Sequence, residues 1–285
     1  MSWSLYRWVW RLESPLHIGM MPAGALNRCR LYVPAWALWG ALTAEIARGQ
    51  ATGNSPQYRE VGGKLKQDVR FTYLYPAEEV GNGSCAWLPR YEEGKGLVWQ
   101  REDGQGILTN RQMRVRLLST QPGTPIEPSS DTAADGTLRE VEYMLPRWRD
   151  NGSPLFLIGY LFLKDQTFDH DPRAIQEITL GGETRYGFGR LQRIYLDLAR
   201  DCFGIATDLS RSQPILQGPE CVLAHTRPEP DGIEKGAMEI VLGWDVGILR
   251  PVADATPHWV PGSRVNGQRN FAIRGDGLWE IDKIT

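Results

Sequence analysis

Lysine is scarce in this chain: of 32 basic residues, only Lys64, Lys66, Lys95, Lys164, Lys235 and Lys283 are not arginine. Positive charge is therefore carried almost wholly by guanidinium forks, which bind oxyanions bidentately and stack on flat rings as an ammonium does not. Codon usage produces the same bias, so composition alone assigns no ligand. Cysteine is also sparse. Cys29, Cys85, Cys202 and Cys221 lie far apart with no CxxC and no Cys/His spacing, which argues against a zinc knuckle and a disulfide framework and makes reduced thiols in the cytoplasm the expectation. No apolar run approaches a membrane span, and Arg7, Arg11 and Glu13 interrupt the N-terminal "MSWSLYRWVWRLESPLHIG", so neither export nor a membrane partner is expected.

What is present suffices for a core, since 41% of the 285 residues are hydrophobic, enough for one large domain or two modest ones. Trp3 to Glu13 alternates like a half-buried strand, with Tyr6, Trp8, Trp10 and Leu12 on one side. "PAWALWGALTAEIAR" reads as a helix that opens at Pro34 and carries an apolar stripe of Ala35, Leu38, Trp39, Leu42 and Ile46. From about residue 50 to 106 the sequence is irregular and reads as an insertion with strand-like pieces at "VRFTYLYP" and "CAWLPRY". "RQMRVRLLS" and "REVEYMLP" read as two strands joined by an exposed loop, together a projecting β-hairpin arm over about 110–146. "PLFLIGYLFLK" is apolar enough for a strand buried on both faces, "DPRAIQEITL" reads as a short helix, and "RLQRIYLDL" as a last strand. The resulting order, β-α-β-β-α-β, predicts an α+β fold of the ferredoxin-like, RNA-recognition-motif type over residues 1–199. Residues 200–285, with strand signals at "ECVLAH", "MEIVLGW" and "NFAIRG", read as a smaller β-rich second part or a degenerate repeat.

The stretch "LGGETRYGFGRLQRI" combines backbone freedom with charge. It lacks the GK[ST] of a Walker loop, and it leads into a strand where a dinucleotide fingerprint would open a helix. No cofactor or metal is expected from it. Successive glycines can line up amide N–H groups as an anion nest, so Gly181, Gly182, Gly187 and Gly189 with Arg185 and Arg190 predict a phosphodiester ligand, and Tyr186 and Phe188 a stacking face for a base. The competing reading is a tight turn with solvated arginines.

"SPLHIG" after the first strand, "YVPAWALWGALTAEIAR" at the first helix and "GGETRYGFG" before the last strand resemble, in that order, three signatures of the CRISPR-associated RAMP superfamily. The resemblance spans about Ser14 to Arg190. It implies membership of a guide-RNA ribonucleoprotein, and in type III effectors a β-hairpin thumb that kinks the guide–target duplex, which Asn110 to Pro146 resembles. "VPGSRVNGQRNFAIRGDGLWE" is similar to the tails of the subgroup that caps the 5′ end of the guide. The implied role is a non-catalytic subunit gripping the 5′ handle of the CRISPR guide RNA. Its implied partners are guide RNA, the target RNA duplex, other RAMP backbone subunits and the large polymerase/nuclease subunit. On that reading His17, Arg28 and Arg30 contact RNA from the first loop, and Arg111, Arg114 and Arg116 do so from the arm.

Two alternatives stay open. RAMP endoribonucleases use a histidine as general base toward a 2′-hydroxyl, which nominates His17 with Tyr6 or Tyr32. The target-cleaving subunits carry an aspartate in the first loop, but "GMMPAGALNRCR" has no carboxylate. "FDHDP" is read as a helix cap rather than a cation site, and Asp131 and Asp135 as loop solvation. Exposed tryptophans among the eleven would instead mark protein–protein interfaces, although most are expected in the core.

Overall fold

The computed structural model describes residues 2–283 except 52, 54, 82, 165–170, 242, 246–249 and 253–255, and for 243–245 and 250–252 the backbone alone. Strand β1 is Trp3–Leu12. Its alternation predicted one wet face, but Leu5, Trp8, Val9 and Trp10 are all buried, because β1 lies in the middle of the sheet and is covered on both faces. Helix α1 is Ala35–Gln50, with Pro34 one position earlier than expected, as N-cap, and Ala35, Leu38, Leu42 and Ile46 buried along one stripe.

Residues 50–106 are not irregular. They form helix α2 (Tyr58–Asp68) and strands β2 (Val69–Phe71), β3 (Tyr75–Val80), β4 (Gly83–Glu92) and β5 (Gly96–Arg101), followed by β6 (Ile107–Thr109). Gly62 and Gly63 hide α2 from propensity reasoning, since mid-helix glycine is unfavourable. Gly62 is needed because a Cβ there would stand 2.8 Å from Trp39 Cζ2, and Trp39 Nε1 donates to the Gly62 carbonyl at 3.0 Å. Arg70, buried beyond the helix end, donates to the carbonyls of Lys66 at 2.7 Å and Ile273 at 3.1 Å. One side chain thereby satisfies a helix C-terminus and ties it to the C-terminal part.

A correction follows at Arg111–Ser119, expected as a strand. Asn110–Leu117 is helix α3, with a capping box in which Thr109 Oγ1 accepts from Gln112 N and the Gln112 side chain accepts from Thr109 N. Met113, Val115 and Leu117 fit a period of two, which produced the strand reading, but only Met113 and Leu117 are buried while Val115 is 60% exposed. The helical i, i+4 pair wins. The arm begins later, as β7 (Leu118–Gly123) paired antiparallel with β8 (Arg139–Met144), with a short hairpin of 126–127 and 132–133 toward its tip. Leu26–Asn27 of the first loop pairs with β8 on its other side.

β9 (Phe156–Lys164) is buried over eight residues as expected. The helix expected over Asp171–Leu180 is absent. Pro172–Ala174 makes a single 3-10 turn capped by Asp171, followed by β10 (Glu177–Thr179), where Ile178 and Leu180 turn inward at a strand period. His170 and Phe168 of "FDHDP" lie outside the described residues. β11 (Arg190–Leu198) follows. Hydrogen bonding gives one nine-stranded sheet in the order β10-β11-β1-β9-β3-β4-β5-β6, with β2 also on β9. β1 is antiparallel to both neighbours, with Trp8 opposite Gly159 of β9 and Leu12 opposite Leu191 of β11.

The C-terminal part contributes a five-stranded sheet of 201–202, 205–208, 215–217, 270–273 and 279–281. "ECVLAH", expected as a strand, makes only an isolated bridge from Cys221 to Arg264 and bends at Leu223–Ala224, with Val222–His225 buried. Phe203 packs edge-on against Tyr160 at 4.7 Å, and Val222, Phe271 and Trp279 join the same apolar cluster as Trp8 and Leu38. None of the tryptophans whose side chains are described is exposed, so an interface built on exposed tryptophan has no support among them. Among the described residues no helix is long and apolar enough to cross a membrane. Thr109→Ala removes the cap that makes α3 helical and is expected to lower stability by about 1 kcal/mol in urea denaturation, with Thr109→Ser retaining most of it; an unchanged midpoint would contradict the capping account.

Candidate nucleic-acid interface

The segment Ser14–His17 joins the glycine stretch to the base of the arm. Gly182 N donates to His17 O at 2.8 Å, Gly189 N to Pro15 O at 2.7 Å, and Arg190 N to Ser14 Oγ at 3.0 Å. On its other side Leu16 exchanges backbone hydrogen bonds with Met144 of β8, at 3.0 and 2.8 Å. The first and third signature segments are thus stitched together beside the arm. Glycine is required where the chains touch. A Cβ at Gly189, φ +84°, would lie 1.9 Å from Leu180 O, and one at Gly181, φ +88°, 2.5 Å from His17 O.

These contacts correct the anion-nest expectation. The amides of Gly182 and Gly189 point inward to carbonyls, and Gly187 N donates to Thr184 O at 3.1 Å inside a 3-10 turn at Thr184–Tyr186. They are spent on packing. The stacking face expected at Phe188 is not an open one: the residue is buried and meets Tyr143 of β8 edge-on at 5.2 Å, so it braces the arm. Tyr186 is 71% exposed, and Arg185 is exposed with no ion-pair partner among the described residues. Arg190 is exposed with a loose 3.5 Å contact to Glu177, which at a wet surface contributes little.

The remaining arginines divide. Arg30 pairs with Glu239 and donates to Tyr32 Oη at 3.1 Å. Glu239 also meets the Nε2 of the fully buried His225, whose Nδ1 faces Tyr73 Oη at 2.6 Å. Burial works against the Glu239 carboxylate, but hydrogen bonds from His225 and Arg30 overcome it and hold its pKa at about 2. Burial pushes the His225 imidazole down. Arg114 donates to both Glu142 oxygens at 2.6 Å, and that carboxylate also accepts from Cys29 N at 2.8 Å. Arg116 contacts Asp150 at 2.8 Å and Glu78 at 3.5 Å, and stacks over Trp148. Arg30, Arg114 and Arg116 are therefore structural, because opening such enclosed pairs leaves an uncompensated carboxylate. Arg111, exposed on α3, and Arg28, half-buried in the first loop, have no ion-pair partner among the described residues.

His17 is half-buried, and its Nδ1 lies 2.6 Å from the Glu142 carbonyl. A carbonyl only accepts, so Nδ1 carries the hydrogen and the neutral ring keeps its lone pair on Nε2. The tyrosines nominated with it are engaged elsewhere, Tyr6 Oη with Arg173 at 3.0 Å and Tyr32 with Arg30. Cys29 is inert as a nucleophile, since burial raises its thiol to about 12.

Two residues that the sequence reading did not single out meet beside Tyr186. Arg139, at the start of β8, and Glu183, inside the glycine stretch, form a 3.5 Å ion pair, and the Arg139 guanidinium lies 5.9 Å from the Tyr186 ring centroid. With Gln121, Pro122, Pro125 and the edge of the buried Phe188 they line a groove of about 400 Å³ between arm and glycine stretch. The signal for Glu183 is its backbone: at φ 58° it is a non-glycine residue in the left-handed region, at a cost of about 1–2 kcal/mol.

No family model matches the sequence, and no curated protein matches it. Among solved structures the chain is similar to one in a cryo-EM structure of the type III-B Cmr-beta bound to cognate target RNA and AMPPnP. The identity is 12% and the TM-score 0.58, over 91% of this chain and 85% of the other. A second similar chain, from the type III-B Cmr-beta bound to cognate target RNA, has 11% identity and a TM-score of 0.43, over 68% of this chain and 96% of that one. The first of these likenesses shows a shared α+β, antiparallel fold.

The two left-handed glycines flanking Phe188 separate conformational strain from close approach. Gly187 has φ +83° and open space around its Cβ direction, whereas Gly189 adds a backbone clash. Gly187→Ala should cost about 1–2 kcal/mol and Gly189→Ala at least about 3 kcal/mol in chemical denaturation; equal costs would refute the packing role given to Gly189.

Proposed function

We propose that this chain is a non-catalytic, RNA-binding subunit of a type III CRISPR effector, built on a ferredoxin-like sheet. The order β11-β1-β9-β3, with every neighbour antiparallel and α1 following β1, supports the ferredoxin-like reading. β10 and a 3-10 turn stand in the chain where its second helix was expected. The likeness to a chain of the RNA-bound type III-B Cmr-beta supports the assembly. The observation that carries the proposal is the convergence of "SPLHIG", the glycine stretch and the arm on one seam, from whose outer side Arg185, Tyr186 and Arg190 project.

The mechanism is positional. Arg185 and Arg190 contact phosphates of the guide, with Arg28 and Arg111 adding positive charge, and Tyr186 offers a ring for stacking. The seam fixes these groups relative to the arm, which lies against the guide–target duplex. Neighbouring RAMP subunits and the large polymerase/nuclease subunit are the proposed protein partners, and the 5′ handle the proposed RNA element. His17 serves this arrangement as a spacer between Glu142 and Gly182, its ring carbon within 2.9 Å of where a Gly182 Cβ would stand.

The double variant Arg185→Ala/Arg190→Ala should bind guide RNA about tenfold or more weakly, with an unchanged circular-dichroism spectrum. The slope of log K against log salt should shrink by about 1.4, two phosphate contacts to a single strand. Undiminished retention of guide RNA would remove the site. Incubated with repeat-containing RNA, the purified protein is expected to leave it intact; specific cleavage abolished by His17→Ala would establish the endoribonuclease reading instead.

A further inference from the structure

The groove between arm and glycine stretch has a composition that phosphate binding does not explain. A site for the sugar-phosphate chain alone has no use for a carboxylate, yet Glu183 lines the groove in a left-handed backbone conformation. Among the described residues its only charged partner, Arg139, is 3.5 Å away, too far for a good hydrogen bond, and the carboxylate accepts no hydrogen bond. Its lone pairs are available. Beside it stand the exposed ring of Tyr186 and the flat, apolar Pro122 and Pro125. Arg139 lies 5.9 Å from the tyrosine centroid with its side chain 46% exposed, a weak contact that a planar ring can displace.

We propose that this groove binds an unstacked guanine base, stacked on Tyr186 and read by Glu183. Guanine presents N1–H and N2–H2 side by side on its Watson–Crick edge, and a carboxylate accepts two parallel N–H donors. Adenine and cytosine offer one exocyclic amino group next to an acceptor nitrogen that faces a carboxylate unfavourably, and uracil has a single N–H between two carbonyls. Glu183 thereby becomes a specificity-determining residue and Tyr186 the platform, while Arg139 offsets the charge of the carboxylate. The inference rests on the RNA-binding reading above in taking the ligand to be a nucleotide.

Full-length protein titrated calorimetrically with 5′-GMP, 5′-AMP, 5′-CMP and 5′-UMP should bind GMP about fivefold or more tightly than the others. Glu183→Gln should bring GMP to the level of AMP without weakening AMP, and Tyr186→Ala should abolish binding of all four. Equal affinities, no binding of any mononucleotide, or a GMP preference that survives Glu183→Gln would overturn the proposal. Two labelled RNAs of about 12 nucleotides, one containing guanine and one lacking it, separate this inference from the one beneath it. Equal retention of both defeats the guanine site and leaves RNA binding standing. Retention of neither, with the GMP preference intact, defeats RNA binding and leaves the pocket.

Discussion

The close approach of Gly181, Gly182 and Gly189 to the backbone of Pro15–His17 is the contact on which the arrangement depends. A Cβ at Gly181 would stand 2.5 Å from His17 O and one at Gly182 2.9 Å from the His17 ring, while at Gly189 it would stand 1.9 Å from Leu180 O within the glycine stretch itself, so the two segments hydrogen-bond directly because no Cβ intervenes at Gly181 and Gly182. Leu16 then passes the connection to Met144, and Phe188 repeats it through Tyr143. The arm, a hairpin that would be marginal by itself, thereby gains a fixed base. Glycine richness here serves proximity between protein segments, and Arg185 and Tyr186 between the glycines stay exposed.

Arginine in this chain has two uses that composition cannot separate. Arg30, Arg114 and Arg116 are planar, permanently charged connectors that each reach carboxylates from distant parts of the chain, and Arg70 does the same for carbonyls. The Arg30–Glu239–His225–Tyr73 chain of contacts joins the first loop to the C-terminal part through enclosed hydrogen bonds. A net charge of −2 is compatible with phosphate binding because a large share of the positive charge is already matched internally. Among the described residues, arginines without a close carboxylate include Arg185 and Arg190 beside the seam, Arg111 on α3 and Arg28 in the first loop, and also the exposed Arg59, Arg200 and Arg269. On the proposed RNA-binding role, long-range attraction would accordingly be modest and short-range contact correspondingly important.

The site divides the same way between sequence and structure. The exposed group Arg185, Tyr186 and Arg190 is marked in the sequence because it sits in one short, unusual stretch. The burial of Phe188 is not visible locally because its partner Tyr143 lies across the fold, and nothing local distinguishes Arg139, which lies beside Glu183 and Tyr186, from any other arginine at a strand start. Glu183 was in view, but its left-handed backbone is a property of the turn.

The sequence by itself determined β1, α1, β9 and β11, since each has a periodicity or an apolar run that only one element satisfies, and it indicated an arm from the Pro-, Gly- and Ser-rich loop before β8. It also marked the segments that meet at the seam. Tertiary structure decided whether Met113, Val115 and Leu117 lie along a strand or a helix, whether Asp171–Leu180 coils or pairs with β11, and where the glycine amides point. It decided which arginines are free as well, because the partners are remote in the chain: Arg114 finds Glu142 across 28 residues and Arg30 finds Glu239 across 209. Periodicity is a local property carried by neighbouring residues, whereas charge pairing and close backbone approach are set by whichever segments the folded core brings within reach.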